Sequence, residues 1–346
     1  MKEFNTWKTL SKIIECHATS NMVCDFSLGI TEKEFENFEK LIFQASIKNG
    51  WFTEGNIRFA LKQISSWLDS KDFASSFRQY YTEQKDTKIA VIMAGNLPLV
   101  GIHDFITVLS SGCSILCKMS QDDDILLKGI CDYIELVDPV MASRIEFSDR
   151  KLNGFDALIA TGSDTSNESF KTYFGKSYHL FRGHRTSIAV INGEERVDEL
   201  ERLGDDIFLY FGRGCRNVTH LCLPTGYDIQ KVFSTLLKHS EVVQNKKYGN
   251  NYDYNKAIFL MNQEKILDNN FVLFRESKDL FAPIAVVNYH YYNSQNDLEA
   301  YIDNNKEKIQ CIVGKEYVPF GGAQCPSFLQ FADDVNTFEW IKGIPC

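Results

Sequence analysis

The chain of 346 residues carries 37 basic and 46 acidic side chains, a formal charge of −9, and 44% of it is hydrophobic. This is a soluble, globular composition, long enough for about two domains at roughly 150 residues each, with cores that need no disulfide staples. An acidic chain with no basic stripe and no finger-type metal spacing is a poor match for nucleic acid, and no run reaches the ~18 unbroken apolar residues of a membrane span.

The opening residues, MKEFNTWKTLSKIIECHATS, mix charges into their apolar positions and lack the uninterrupted stretch of a signal peptide, so a cytoplasmic location is expected. The ten cysteines are then expected to be thiols, mostly filling cores. None forms a CxxC pair, and the close pair Cys113 and Cys117 lies on an apolar run without a histidine at ligand spacing, so no metal site is expected.

Residues 33–47 and 56–68 have helical spacing; in the second, Ile57, Ala60, Leu61, Ile64, Trp67 and Leu68 share one face, and the first ~85 residues read as mostly helical. From Lys88 the period changes. KIAVIMA (88–94), SILCK (114–118), RIEFS (144–148), DALIATG (156–162) and TSIAVIN (186–192) are short β-branched runs separated by helix-length segments, the pattern of a parallel sheet with crossover helices. After Asn192 come a helix at about 197–211, a strand at HLCLP (220–224), a helix at 228–239, and strands at FVLFRES (271–277), PIAVVNYHYY (283–292) and IQCIVG (309–314). Ser294, with Asp297 three residues on, predicts the cap of a helix over NDLEAYIDNNKEK. The expected organisation is α/β: a helical segment plus a cofactor-type domain over 1–192, a second α/β domain over 193–325, and a tail over 326–346.

Neither a G-x-G-x-x-G after a strand nor a Walker-type lysine loop is present, so the chemistry must sit where strands break into small or polar residues. In AGNLPLVGIHDF, Asn96 either aims its amide N–H into a crevice or serves as a turn residue. In CKMSQDDD, Lys118 ends a strand, where it either grips ribose or phosphate or points to water; the three aspartates that follow are a solvated helix start or repel a phosphate. ATGSDTS places small residues and free N–H groups before a helix, which suits a pyrophosphate as well as a capped turn. In YFGRGCRNVTHLCLP, Cys215 follows two glycines with Arg213 and Arg216 beside it, and cationic neighbours stabilise a thiolate; this residue is read as a nucleophile.

Taken in order, AGNLPL, CKMS, ATGS, GRGC, DLFAPIAVV and VPFGGAQCPSF resemble the aldehyde dehydrogenase superfamily, specifically its acyl-CoA reductase branch, the LuxC-like fatty-acid reductases, over roughly residues 88–330. The resemblance implies two Rossmann-like α/β domains with parallel sheets and the active site in the cleft between them. It implies Cys215 as the nucleophile that takes the acyl group, with Asn96 and the Cys215 N–H as oxyanion hole. By the same likeness Lys118 contacts the cofactor's adenosine ribose, Gly162 and Ser163 form the turn at its pyrophosphate, Asp279 takes the place of the carboxylate on the nicotinamide ribose, and Phe281 lies near the ring.

This sequence departs from the superfamily in two places. Oxidising members carry a general-base glutamate two residues before a Gly-Gly-Lys, whereas the matching stretch HLFRGHRTS (179–187) has no carboxylate, which favours an acyl-enzyme that is exchanged or reduced over one that is hydrolysed. His184 and His220 are the proton carriers to weigh there, against the commoner structural histidine. The oligomerisation hairpin usual before the asparagine strand is not evident, since KDFASSFRQYYTEQKDTK (71–88) looks helical and short, so a homo-oligomer remains open. Where NAD-dependent members often place a glutamate three residues after the lysine, this chain has Gln121, which tolerates the 2′-phosphate of NADPH; NADH is the second choice.

The expected activity is NADPH-dependent reduction of an acyl-CoA, or an acyl group on a carrier or partner protein, to the aldehyde. Two alternatives stand beside it: an acyl-accepting scaffold or transferase without nicotinamide chemistry, and an oxidising aldehyde dehydrogenase.

Overall fold

A computed structural model describes residues 2–19, 24–83, 85–162 and 164–345. The chain forms two compact units, Met1–Gly183 with Ser327–Cys346, and His184–Pro326.

The first unit opens with helices α1 (Lys2–Ala18), α2 (Glu32–Lys48), α3 (Glu54–Asp69) and α4 (Lys71–Tyr80). Their starts are encoded locally. At α2 a capping box closes when Thr31 Oγ1 accepts the Glu34 N–H and the Glu34 carboxylate accepts the Thr31 N–H at 2.6 Å, satisfying two orphan donors at once. The apolar stripe of α3, including Ile57, Leu61, Ile64 and Leu68, is buried and meets Trp7, Leu10 and Ile14 of α1 in one core.

An alternating β and α succession follows: β1 (Lys88–Ile92), α5 (Ile102–Ser110), β2 (Ser114–Lys118), α6 (Leu126–Val137), α7 (Pro139–Ala142), β3 (Ile145–Phe147), β4 (Ala157–Thr161), α8 (Asp164–Phe174) and β5 (Tyr178–Arg182). The strands form one parallel sheet in the order β3-β2-β1-β4-β5. From β1 the chain steps outward to β2 and β3, then returns to the other side of β1 with β4, so the loops leaving the carboxyl ends of β1 and β4 diverge and open a crevice.

The second unit contains β6 (Thr186–Val190), α9 (Val197–Phe208), β7 (Val218–Pro224), α10 (Gln230–Thr235), α11 (Lys246–Met261), β8 (Ile266–Asp268), β9 (Leu273–Glu276), β10 (Val286–Tyr292), α12 (Gln295–Asn305) and β11 (Ile309–Val313). Its sheet runs β11-β6-β7-β10-β9-β8, parallel except for β8 against β9. Ser294 caps α12 as predicted, accepting the Asp297 N–H at 3.2 Å. The fold class read from the sequence is the one observed.

Several details differ from the sequence reading. TSIAVIN, grouped with the first sheet and placed in a domain ending at 192, supplies β6 between β11 and β7 of the second sheet, and the division falls after Gly183. β5 was not anticipated, nor was α11, whose KKYGNNYDYNKAIFLM lacks an amphipathic stripe; it begins at Asn245, whose side chain accepts the Lys247 and Tyr248 N–H groups. The predicted tail is not a tail: from Ser327 the chain belongs to the first unit, where Phe328, Phe331 and the helix α13 (Thr337–Lys342), through Phe338 and Ile341, join the core.

Candidate functional site

In the first unit Asn96, Lys118 and Gly162 all lie at the carboxyl edge of the sheet, after or at the ends of β1, β2 and β4. The loops after β1 and β2 are pressed together: a Cβ at Gly95 would lie 2.4 Å from Ser120 Oγ, so only glycine fits there. Asp123, one of the aspartates read as a solvated helix start or as repelling a phosphate, is buried, and its Oδ2 accepts the Leu99 N–H at 2.6 Å, tying the asparagine loop in place where Leu99 adopts φ 58°. Its other oxygen, Oδ1, has no partner, and burial pushes the Asp123 carboxyl up to about 7.

A titration consequence follows. A carboxyl whose folded pKa is raised penalises the native state as pH climbs from the unfolded value toward the folded one, and the whole penalty is present above about 7. Asp123→Asn keeps an acceptor for Leu99 without the charge. The variant is expected to match the wild type near pH 4 and to exceed its urea stability by more than about 1 kcal/mol at pH 8; equal stability at both values would show that Asp123 does not titrate in this range.

Lys118 also donates from Nζ to the Arg150 carbonyl at 3.1 Å, and Gln121 is exposed in the turn that follows. At Gly162 a Cβ would stand 2.7 Å from Ser166 Cβ, so glycine lets the end of β4 pack on the first turn of α8; Ser163 lies outside the described residues. A glycine at a strand end entering a helix, at the point where strand order reverses, is an arrangement that can take a dinucleotide phosphate.

The second unit uses the opposite edge of its sheet: Cys215, His184 and the Asp279–Phe281 segment all precede strands, at the amino ends of β7, β6 and β10. The Cys215 thiol is exposed. Just upstream, Tyr210 (φ 55°), Phe211 (φ 60°) and Gly212 (φ 73°) are successively left-handed, a conformation costly for the two aromatic residues and maintained only where the surroundings over-determine it.

Asn217 supplies that determination. Fully buried, it donates from Nδ2 to the carbonyls of Asp206 (3.0 Å), Ile207 (3.2 Å) and Leu209 (2.8 Å), while its Oδ1 accepts the Gly214 N–H at 2.8 Å. Ser187 Oγ donates to the Cys215 carbonyl at 3.0 Å. The Asp206 carboxylate accepts the Gly321 and Ala323 N–H groups at 2.7 and 2.8 Å, and Arg216 donates to the Ala323 carbonyl, 107 positions away in sequence, at 3.4 Å, so the GRGC loop and VPFGGAQC are built into one structure. Burial pushes Asp206 up to about 6.

His184 is exposed and stacks on Phe281, ring centroids 4.6 Å apart and 17° between planes. Asp279 presents an exposed carboxylate met by Arg275 Nη2 at 3.3 Å. His220, the other proton carrier considered, is fully buried with both nitrogens engaged: Nδ1 with the Asp279 carbonyl at 2.9 Å and Nε2 with His290 Nδ1 at 2.6 Å. Burial, reinforced by the neighbouring His290, pushes it down to about 3, so it is neutral and serves as a tether.

The ligand atoms of His220, Cys222 and His290 lie within 4.8 Å of one another. Two imidazole nitrogens on one tetrahedral ion, each ~2.0–2.1 Å from it, would stand about 3.3 Å apart. At 2.6 Å the two rings share a hydrogen bond instead, and burial pushes the Cys222 thiol up to about 12.

Sequence reasoning also missed Asp333. No carboxylate occurs within 179–187, yet the returning C-terminal segment brings Asp333 Oδ2 to accept the Gly183 N–H at 3.0 Å. Only the fold could reveal this, because 150 residues separate the two.

No protein-family model and no curated protein sequence matches this chain. Solved structures do. Aldehyde dehydrogenase 21 from Physcomitrella patens, in complex with the reaction product succinate, aligns with a TM-score of 0.63 at 10% identity over 90% of this chain and 74% of that one. An NADP-dependent enzyme of E. coli aligns at 0.63 and 12% identity over 89% and 73%. A Mycobacterium tuberculosis aldehyde dehydrogenase complexed with NAD+ aligns at 0.60 and 10% identity over 87% and 71%. The fold is aldehyde dehydrogenase-like.

Proposed function

We propose that the chain is an NADPH-dependent acyl-CoA reductase that takes an acyl group from a coenzyme A thioester, or an acyl carrier, onto Cys215 and releases it as the aldehyde. The observation that carries this reading is the exposed Cys215, flanked by Arg213 and Arg216 in a strained, heavily tethered loop at the head of a strand in this fold. Cationic neighbours favour the thiolate. The thiolate adds to the thioester carbonyl, forming the new carbon–sulfur bond and a tetrahedral oxyanion; collapse of the oxyanion breaks the old carbon–sulfur bond, and coenzyme A leaves as its thiolate. Because one thioester replaces another, positioning and stabilisation of transient charge do most of the catalytic work.

The oxyanion is assigned to the Cys215 backbone N–H and the Asn96 amide. Asn96→Ala is expected to lower the rate with an acyl-CoA panel, followed by NADPH consumption, by about 10²–10³-fold. A change under about threefold would leave Asn96 as a turn residue. When bound, NADPH supplies the reducing equivalents that convert the acyl-enzyme to aldehyde. Lys118, Gly162 and Ser163 are assigned to its adenosine ribose and pyrophosphate, Asp279 to the nicotinamide ribose and Phe281 to the ring, with the neutral Gln121 leaving room for a 2′-phosphate. The overall reaction takes up one proton, on the coenzyme A thiolate, and His184, exposed on the face of Phe281, is assigned to deliver it.

One observation favours a second reading. Asp333 at Gly183 is a carboxylate near the stretch where oxidising enzymes carry their base. Oxidation of aldehyde with NAD(P)+ in the absence of coenzyme A, abolished by Asp333→Asn, would replace the reductase reading.

A further inference from the structure

The segment between β9 and β10 that carries Asp279 and Phe281 has no regular secondary structure, yet its carbonyls are captured one after another. Tyr301 Oη donates to Lys278 O at 3.2 Å, His220 Nδ1 and Asn288 Nδ2 to Asp279 O at 2.9 Å each, Thr219 Oγ1 to Leu280 O at 3.0 Å, and Asn288 Nδ2 again to Phe281 O at 3.0 Å. Farther on, Asn255 Nδ2 donates to Ile284 O at 3.0 Å. Surface loops ordinarily leave such carbonyls to water. Here the donors come from β7, β10, α11 and α12, and His220 and Asn288 are fully buried while the Asp279 side chain is 73% exposed.

The proton arrangement is fixed by chemistry. A carbonyl only accepts, so His220 donates from Nδ1; its Nε2 must then accept, and His290 donates from its own Nδ1. Asn288 spends both amide hydrogens on the carbonyls of residues 279 and 281, and its Oδ1 accepts Arg275 Nε at 3.1 Å. Arg275 then reaches the Asp279 carboxylate, so the backbone and the side chain of Asp279 are held by one connected network. Burying this many polar groups is tolerable only when all are paired, and the return is a loop held in one geometry.

We infer that His220, Asn288 and Thr219 are positioning residues for nicotinamide nucleotide binding: they touch no nucleotide and fix the segment that presents Asp279 and Phe281 to it. The inference rests on the reading of Asp279 and Phe281 given above. Groups held to within an ångström lose about two orders of magnitude in effect when displaced by that distance, so loosening the segment weakens nucleotide binding and leaves the cysteine loop, tethered by Asn217 and Ser187, as it was.

The test uses the full chain with Asn288→Leu, His220→Leu, His220→Asn and, should either leucine variant fail to fold, Thr219→Val. NADPH binding is followed by fluorescence titration, and acyl transfer from acyl-CoA to Cys215 without nicotinamide by mass spectrometry. Asn288→Leu and His220→Leu are expected to raise the Kd for NADPH by about tenfold or more while acylation stays within about twofold. His220→Asn, whose amide N–H replaces Nδ1, restores binding to within about threefold. Unchanged NADPH affinity in the leucine variants, or affinity and acylation falling together, overturns the positioning role alone. Failure of the wild-type chain to bind NADPH overturns the functional reading beneath it and this inference with it.

Discussion

Cys215→Ala is expected to reduce acyl-CoA turnover by about 10⁴-fold or more, as loss of a covalent nucleophile does, with NADPH binding and thermal unfolding unchanged. The second half of that expectation comes from the packing. The thiol is exposed, and the bonds that shape the loop run to the Gly214 N–H and the Cys215 carbonyl, which alanine retains. Wild-type protein incubated with acyl-CoA and no nicotinamide should carry one acyl adduct, on Cys215. Burial argues against the interior thiols as rivals, pushing Cys222 up to about 12 and Cys311 up to about 11. Among the described residues, Cys325 is the other exposed cysteine. An adduct there, or turnover by the variant at a tenth of the wild-type rate, would transfer or remove the nucleophile assignment.

The largest expected loss of stability is at Arg182. Its guanidinium, at the end of β5, grips the Asp104 carboxylate of α5 with two bonds of 2.6 and 3.1 Å, and also donates to Thr337 Oγ1 at 2.9 Å and to the Ala332 carbonyl at 2.7 Å. Both side chains are buried. Burial alone would raise the Asp104 carboxyl; the charge and hydrogen bonds of Arg182 outweigh it and hold the group below the ordinary carboxylate range. Removing the cation strands a buried carboxylate, a loss of about 3–5 kcal/mol. All four tryptophans, Trp7, Trp51, Trp67 and Trp340, belong to the first unit, so indole fluorescence in urea reports its unfolding. Arg182→Ala should show that loss at pH 7.5, and Arg182→Ala with Asp104→Ala together should lose clearly less than the two singles summed. Additive losses, or a single loss under about 1 kcal/mol, would mean the pair is not what joins α5, β5 and the C-terminal segment.

What the sequence made readable was what repeats locally. The β-branched runs from Lys88 onward mark β1 to β4, and the stripe of Ile57, Leu61 and Ile64 marks α3, because each signal needs only neighbours a few positions away. α11 was hidden for the converse reason: glycine and three asparagines give it no propensity or stripe, and it is held by contacts such as Asn255 with the Ile284 carbonyl. The reactive groups were legible by residue type and company, Cys215 between arginines and Asn96 beyond a strand. Their supports were not. Asn217, Asp206, Asp123 and Asn288 look like ordinary loop or surface polar residues; what distinguishes them is burial against backbone groups that sequence proximity does not announce.

The clasp of Arg182 on Ala332 and Thr337 has a bearing on how the chain is made. Synthesised from its amino end, the protein extrudes the whole of His184–Pro326 before the residues that finish the earlier lobe emerge from the ribosome. The later lobe has all its strands in hand and can mature first, while Arg182 awaits a partner 155 positions downstream. For that interval the nascent chain exposes the sockets of Phe328 and Phe338, and a translation pause near residue 326 would prolong a state in which they are uncovered.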